Sequence, residues 1–280
     1  MGGGARLRVG SVELVPLTDA IGELGDLADV YPDVPLDAWQ PYRDLYPELF
    51  AGDAWHVPCT CYLVRSAERT ILVDTGAGPS GFGDEAPSEL EADLLPALAR
   101  HGVAPEDVDD VFITHVHSDH IGWNTDAAGQ PVFPRARYLL DPTAVARARE
   151  RSEQPWVGRC FRTLFERDLV TAVASGTELA PGVVTTLLPG HEPGHSGVRI
   201  TSDGAEAIVI GDAVPHPALA DRPDWVFVWD HDPVQAQETR EALRAEVVDT
   251  DKLVACGHYP GTGIGRLRTR DGRVVWEHAG

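Results

Sequence analysis

The sequence predicts an α/β protein built on buried sheets, and three observations lead there. Several short apolar runs are continuous, as strands covered on both faces are. Stretches with helical spacing and good helix ends lie between them. Five of the runs end in a residue that commonly binds metals: residues 70–73 lead to Asp74, 111–114 to His115, 185–190 to His191, 208–211 to Asp212 and 253–257 to His258. If these ends share one edge of the sheets, five polar tips converge. The glycine just before the tip at 190, 211 and 257 lets the backbone turn sharply or approach closely there.

The elements follow in order. Residues 6–18 alternate and predict a hairpin of two short strands. Residues 19–56 carry Pro32, Pro35, Pro41 and Pro47 among Tyr31, Trp39, Tyr42, Tyr46, Phe50 and Trp55. Proline at that density forbids a long strand or helix. The segment is either a meander packed on the body, a lid over a substrate pocket or a cover for a homodimer interface. Residues 59–65 and 70–73 are strands with a turn between them. Residues 88–101 fit a helix with Ser88 as N-cap and Gly102 as stop. Residues 132–140 fit a strand, and 142–152 a helix with proline in its first turn. A second helix is expected over 154–167. Residues 183–188, 198–202, 207–210 and 253–256 fit strands, and 232–248 the longest helix.

Composition excludes some functions. The chain has 280 residues, 43% of them hydrophobic, enough for a sizeable core, and one domain over 1–280 is expected. Its formal net charge of −21 argues against nucleic acid and against an anionic membrane surface. No apolar run approaches a membrane span and the N-terminus lacks the apolar core of a signal peptide, so a soluble cytoplasmic protein is the expectation. Cys59, Cys61, Cys160 and Cys256 show neither zinc-type spacing nor a disulfide framework. Buried free thiols are expected, with Cys59 and Cys61 on one face of a strand.

The chemistry concentrates in His115-Val116-His117-Ser118-Asp119-His120. One imidazole at a strand end is more often a hydrogen-bonded structural histidine. Three with a carboxylate in six residues are hard to explain by packing. Imidazole and carboxylate are donors that zinc prefers. His115 and His117 point the same way from an extended segment, and Asp119 and His120 turn off elsewhere, so one loop can feed two metal positions.

With Pro189-Gly190-His191, Gly211-Asp212 and Gly257-His258 added, the chain resembles the metallo-β-lactamase superfamily over roughly residues 58–265. The resemblance implies a four-layer αββα sandwich. It implies that His115, His117 and His191 hold one metal, that Asp119, His120 and His258 hold a second, and that Asp212 bridges them. It implies two zinc ions; manganese, iron or cobalt suit the same donors. Asp74 matches an aspartate that orients a ligand histidine, and His195 a supporting histidine that is not a ligand. Residues 211–217 and 257–261 are similar to the branch containing methyl parathion hydrolase and related lactonases.

The implied chemistry is hydrolysis of a small-molecule lactone or related ester by a hydroxide shared between two cations, with Asp119 passing a proton to the leaving group. Lactonases of this superfamily often carry a tyrosine soon after the bridging aspartate. Here Val214, Pro215 and His216 stand there, so His216 is the catalytic candidate in its place, set against the reading of a lone structural histidine. A phosphotriester or thioester is the second substrate reading, and an iron-dependent sulfur dioxygenase-like enzyme is the reading from another class. Trp39 and Tyr42 are expected to wall the substrate pocket. No Gly-x-Ser-x-Gly elbow supports serine hydrolase chemistry.

Overall fold

A computed structural model of the chain describes residues 6–80 and 92–279. Its strands form two sheets. The first holds β1 (Leu7–Val9), β2 (Val12–Asp26), β3 (Phe50–Ala51), β4 (Ala54–Ser66), β5 (Arg69–Val73), β6 (Asp110–Phe112), β7 (Arg137–Leu140) and β8 (Val170–Ala172). Its order is β1-β2-β4-β5-β6-β7-β8, with β3 beside β4. The second holds β9 (Glu178–Ala180), β10 (Val183–Leu187), β11 (Ser196–Ser202), β12 (Ala205–Val209), β13 (Leu253–Ala255), β14 (Ile264–Arg270) and β15 (Arg273–His278), in the order β15-β14-β13-β12-β11-β10-β9. The α-helices are α1 (Leu27–Val30), α2 (Gln40–Leu45), α3 (Leu94–Arg100), α4 (Ser118–Ile121), α5 (Pro142–Glu150), α6 (Pro155–Glu166), α7 (Ala218–Asp221) and α8 (Pro233–Val247).

Side-chain alternation builds the layers. In β4, Tyr62 and Val64 face the second sheet, where they meet Val198, Ile200, Val209 and Ile264. Cys61 and Leu63 face the other way, against Leu98 of α3 and Phe161 and Leu164 of α6. The outer face of the second sheet offers Ile208, Val254 and Leu267 to Leu243 and Val247 of α8. The result is helix, sheet, sheet, helix, the four-layer αββα sandwich expected. No helix among the described residues is long and apolar enough to cross a membrane.

Topology puts the metal-type residues on one edge of each sheet. β5 and β6 are parallel, so Asp74 and His115 follow neighbouring ends. β12 and β13 are parallel, and β10 runs with them because two antiparallel pairings separate it from β12. His191, Asp212 and His258 therefore leave the second sheet on the same side. Gly211 has φ of +49°, and a Cβ there would lie 2.7 Å from His195 Nε2. Only glycine lets the chain pass that close.

Several boundaries differ from expectation. The second strand of the N-terminal hairpin continues to Asp26, pairing with a β4 that starts at Ala54. The strand expected over 132–140 is confined to Arg137–Leu140, because Pro131 and Pro134 interrupt what precedes it. The helix expected over 88–101 is described from Leu94, and Ser88 lies outside the described residues. Segment 19–56 contains the end of β2 and short helical turns. Leu27, Tyr31, Trp39, Tyr42, Tyr46 and Leu49 from it are all buried against the second sheet's outer face.

Candidate metal centre

The expected ligands meet in two groups around Asp212. Donor atoms of His115, His117, His191 and Asp212 lie within 4.8 Å of one another, as do those of His120, Asp212 and His258. His117 Nδ1 is 2.9 Å from His115 Nε2 and 3.2 Å from His191 Nε2. Asp212 Oδ2 lies 3.6 Å from His191 Nε2, 3.9 Å from His115 Nε2 and 3.2 Å from His258 Nε2. Asp212 Oδ1 lies 3.3 Å from His120 Nε2. Asp119 Oδ2 is 3.3 Å from His258 Nε2 and 3.6 Å from His120 Nε2.

Each of the five rings turns its other nitrogen to an oxygen. His120 Nδ1 donates to Asp74 Oδ2 at 2.8 Å. His191 Nδ1 donates to Asp230 Oδ1 at 3.2 Å, and His258 Nδ1 to the Pro58 carbonyl at 2.8 Å. The Thr114 hydroxyl donates to Asp74 Oδ2, so its oxygen accepts from His115 Nδ1 at 3.0 Å. His117 Nε2 faces Glu192 Oε1 at 3.6 Å, and Arg151 holds that carboxylate at 2.9 Å. These partners place the ring protons outward, so the inward nitrogens present lone pairs.

That arrangement fits cations. Imidazole nitrogens 2.9 and 3.2 Å apart, with their protons directed elsewhere, repel unless a positive charge lies among them. His120 Nε2 and Asp212 Oδ1 are buried without a hydrogen-bond partner. Buried polar atoms are rarely left so, and an ion would satisfy both. The electrostatics agree. Burial, with neighbouring His120 and His117, holds His115 well below the usual histidine range. Burial also opposes a proton on His120, yet Asp212, Asp119 and Asp74 outweigh it and hold that ring well above its usual range. The same carboxylate field draws a cation.

Asp74 sits at φ of +62°, just beyond β5, where it accepts from His120 and from the Thr114 amide and hydroxyl. His195 is adjacent to the donor cluster without joining it. Its Nδ1 donates to the Leu188 carbonyl, and its Nε2 accepts the Asp212 amide at 2.9 Å, fixing the backbone of that carboxylate.

Three expected residues lie elsewhere. His216 is fully buried behind the site among Trp39, Phe50 and Trp55, with ring centroids 5.2, 5.5 and 5.3 Å away. Its Nδ1 accepts from the Ala218 amide, and burial pushes its pKa down to about 3. It is a neutral ring in an aromatic box, away from the cavity. Trp39 and Tyr42 are also interior. Trp39 packs on Trp225 at 4.8 Å, and Tyr42 donates to Asp221 at 2.7 Å. The aromatic from that segment that reaches the cavity is Trp55.

A cavity of about 410 Å³ opens over the cluster, with Asp119, His117 and His258 at its base. Leu24, Trp55, Trp156, Phe227 and Trp229 give it an apolar wall. Other contributors carried no local signal in the sequence. Asp230 pairs with Arg240, both buried, and so couples α8 to His191. Cys59 brings its thiol within 4.8 Å of donor atoms of Asp119 and His258. No strand pairing announces it: β4 and β13 belong to different sheets, and residue 59 comes beside the loop after β13 through the bond from the Thr60 amide to the Gly257 carbonyl.

Comparison with known proteins gives concordant findings. The family model of the metallo-beta-lactamase superfamily matches residues 54–258. An N-acyl homoserine lactonase of Bacillus cereus is 28% identical over 176 residues, 58% of this chain and 66% of the relative. N-acyl homoserine lactonase AiiB of Agrobacterium fabrum (strain C58 / ATCC 33970) is 32% identical over 164 residues, 51% of this chain and 58% of the relative. These matches therefore span less than two thirds of either relative's length. Among solved structures, AidC, a dizinc quorum-quenching lactonase in complex with the product N-hexanoyl-L-homoserine, superposes with a TM-score of 0.83 at 22% identity, covering 99% of this chain and 97% of that one.

Proposed function

This chain belongs to the metallo-beta-lactamase superfamily, and from that membership we propose that it is a dinuclear metal-dependent hydrolase that opens a lactone ring. The observation that carries the reading is the position of Asp212. Its Oδ2 lies between His115 and His191 on one side and His258 on the other, and its Oδ1 faces His120. A carboxylate so placed would serve two cations at once. His115, His117 and His191 would hold the first, Asp119, His120 and His258 the second. Two zinc ions suit the imidazole and carboxylate donors. When bound, they supply a water nucleophile active at neutral pH and polarise the ester carbonyl.

The chain's own residues do the rest. Asp119 is at the cavity base, where its carboxylate can receive the nucleophile's proton and hand it to the leaving alkoxide. Oxygen from water bonds the carbonyl carbon, the ring C–O bond breaks, and the alkoxide leaves as a hydroxyl. Asp74, Asp230 and Glu192 keep three ligand rings oriented; His195 keeps Asp212 in place. The apolar wall of the cavity suits an acyl chain, with the metals as polar anchor. An N-acyl homoserine lactone, the substrate class named for the lactonase relatives, combines those two features.

The test is a hydrolysis screen across acyl homoserine lactones, aryl esters, thioesters and phosphotriesters, run with elemental analysis of the metal-replete protein. The expected outcome is close to two metals per chain and fastest turnover of a lactone. Asp212→Ala should lose activity by orders of magnitude and lower metal content, whereas His195→Ala should be milder. One metal or fewer per chain, or a phosphotriester preferred over every lactone, overturns the reading.

A further inference from the structure

We propose that Cys59 is a thiolate ligand at the second metal position, on the side of Asp119 and His258; this rests on the two-metal reading above. Cys59 lies in β4, and its strand is tied to the ligand loop by the Thr60 amide, which donates to the Gly257 carbonyl at 3.1 Å. The same strand supplies the Pro58 carbonyl that fixes the His258 ring. Residues 58–60 thus form one wall of the second position. From that wall the Cys59 sulfur lies within 4.8 Å of a carboxylate oxygen of Asp119 and a ring nitrogen of His258. Zinc binds sulfur at about 2.3 Å and imidazole at about 2.0–2.1 Å, so two donors on one ion are at most roughly 4.4 Å apart. The three donors are close to what one ion needs.

An independent observation points to the same place. His120 Nε2 is buried, without a hydrogen-bond partner, 3.6 Å from Asp119 Oδ2 and 3.3 Å from Asp212 Oδ1. The second position therefore already has an orphaned donor, and Cys59 brings a soft one beside it. The consequence is asymmetry. The first position offers only nitrogen and oxygen. A thiolate at the second favours zinc, cobalt and cadmium over the hard cations manganese and magnesium. Binding breaks the S–H bond, forms a metal–sulfur bond and releases the proton to solvent.

Cobalt titration of the metal-free full-length chain tests this. A thiolate-to-cobalt charge-transfer band should grow with the second equivalent and be absent from Cys59→Ala and Cys59→Ser. It should persist in Cys61→Ala, whose thiol shares that face of β4 but packs in the apolar cluster with Leu98 and Phe161. Cadmium supplies a second probe through its own thiolate band, should a cobalt-loaded variant prove unstable. Two equivalents bound with no such band, or a band that survives both Cys59 variants, overturns the assignment and leaves the two-metal reading intact. Binding of a single equivalent overturns both.

Discussion

Asp74 Oδ2 accepts from His120 Nδ1 at 2.8 Å while both oxygens of the same carboxylate accept from Thr114. One aspartate thus joins the end of β5 to the loop after β6 and sets which nitrogen of His120 faces inward. Asp74→Asn can present its amide nitrogen to the ring and lose that orientation. Metal affinity should fall about 10–100-fold, measured by competition against a chelating dye. Wild-type affinity in this variant would remove Asp74 from the site's support.

The Asp230–Arg240 pair is buried on both sides and reaches His191 through Asp230. Removing one partner of such a pair leaves an uncompensated charge and costs about 3–5 kcal/mol. Arg240→Met should therefore lower stability by that amount in urea unfolding of the metal-free chain and also weaken metal binding. A loss below about 1 kcal/mol would mean the pair is solvated in solution.

How much of this was legible in the sequence follows from where each group sits in the chain. Of the candidate ligands, His115, His191, Asp212 and His258 were legible because each terminates a continuous apolar run, a local property, and His117, Asp119 and His120 because they crowd within five residues of the first. Asp230, Arg240 and Cys59 were not, because their roles depend on which helix or strand lies opposite. The hairpin of β14 and β15 carries a strand's alternation, Arg266, Arg268 and Arg270 between residues of its covered face, and went unread because it leads to none of the candidate ligands. The extension of β2 to Asp26 escaped for a different reason: shifts of register at Thr18/Ala20 and Glu23/Gly25 break its alternation. Composition marked residues 31–55 as aromatic and rigid. It could not say which face of those short turns looks into the cavity, and Trp39 and Tyr42 look away.

That placement separates two classes of aromatic. Trp39 is fully buried and Trp229 is 43% exposed at the cavity. Trp39→Ala should cost about 3–5 kcal/mol of stability and leave the ratio of kcat/KM for a long-chain and a short-chain lactone unchanged. Trp229→Ala should leave the melting temperature nearly unchanged and shift that ratio roughly tenfold to a hundredfold. The reverse pattern would show that the cavity wall has been assigned to the wrong side of the aromatic cluster.

His216 gives a pH prediction that the metal does not complicate, since burial alone sets its pKa at about 3. An unfolded histidine titrates near 6.5. Between those values the unfolded chain binds a proton that the folded chain refuses. Stability from this group is therefore complete above about pH 6.5 and is lost as pH falls toward 3. The slope it contributes is about 1.4 kcal/mol per pH unit inside that window. His216→Phe keeps an aromatic ring in the box of Trp39, Phe50 and Trp55 and removes the proton site, though it also gives up the bond from the Ala218 amide. Urea unfolding from pH 7 to 4 should show the variant's stability falling less steeply than wild type by about one proton's worth. Its metal content at neutral pH should be unchanged, because the ring touches no ligand oxygen or nitrogen of the cluster. Parallel pH profiles for the two proteins would place the acid-sensitive proton elsewhere, and loss of metal in the variant would restore His216 to the site.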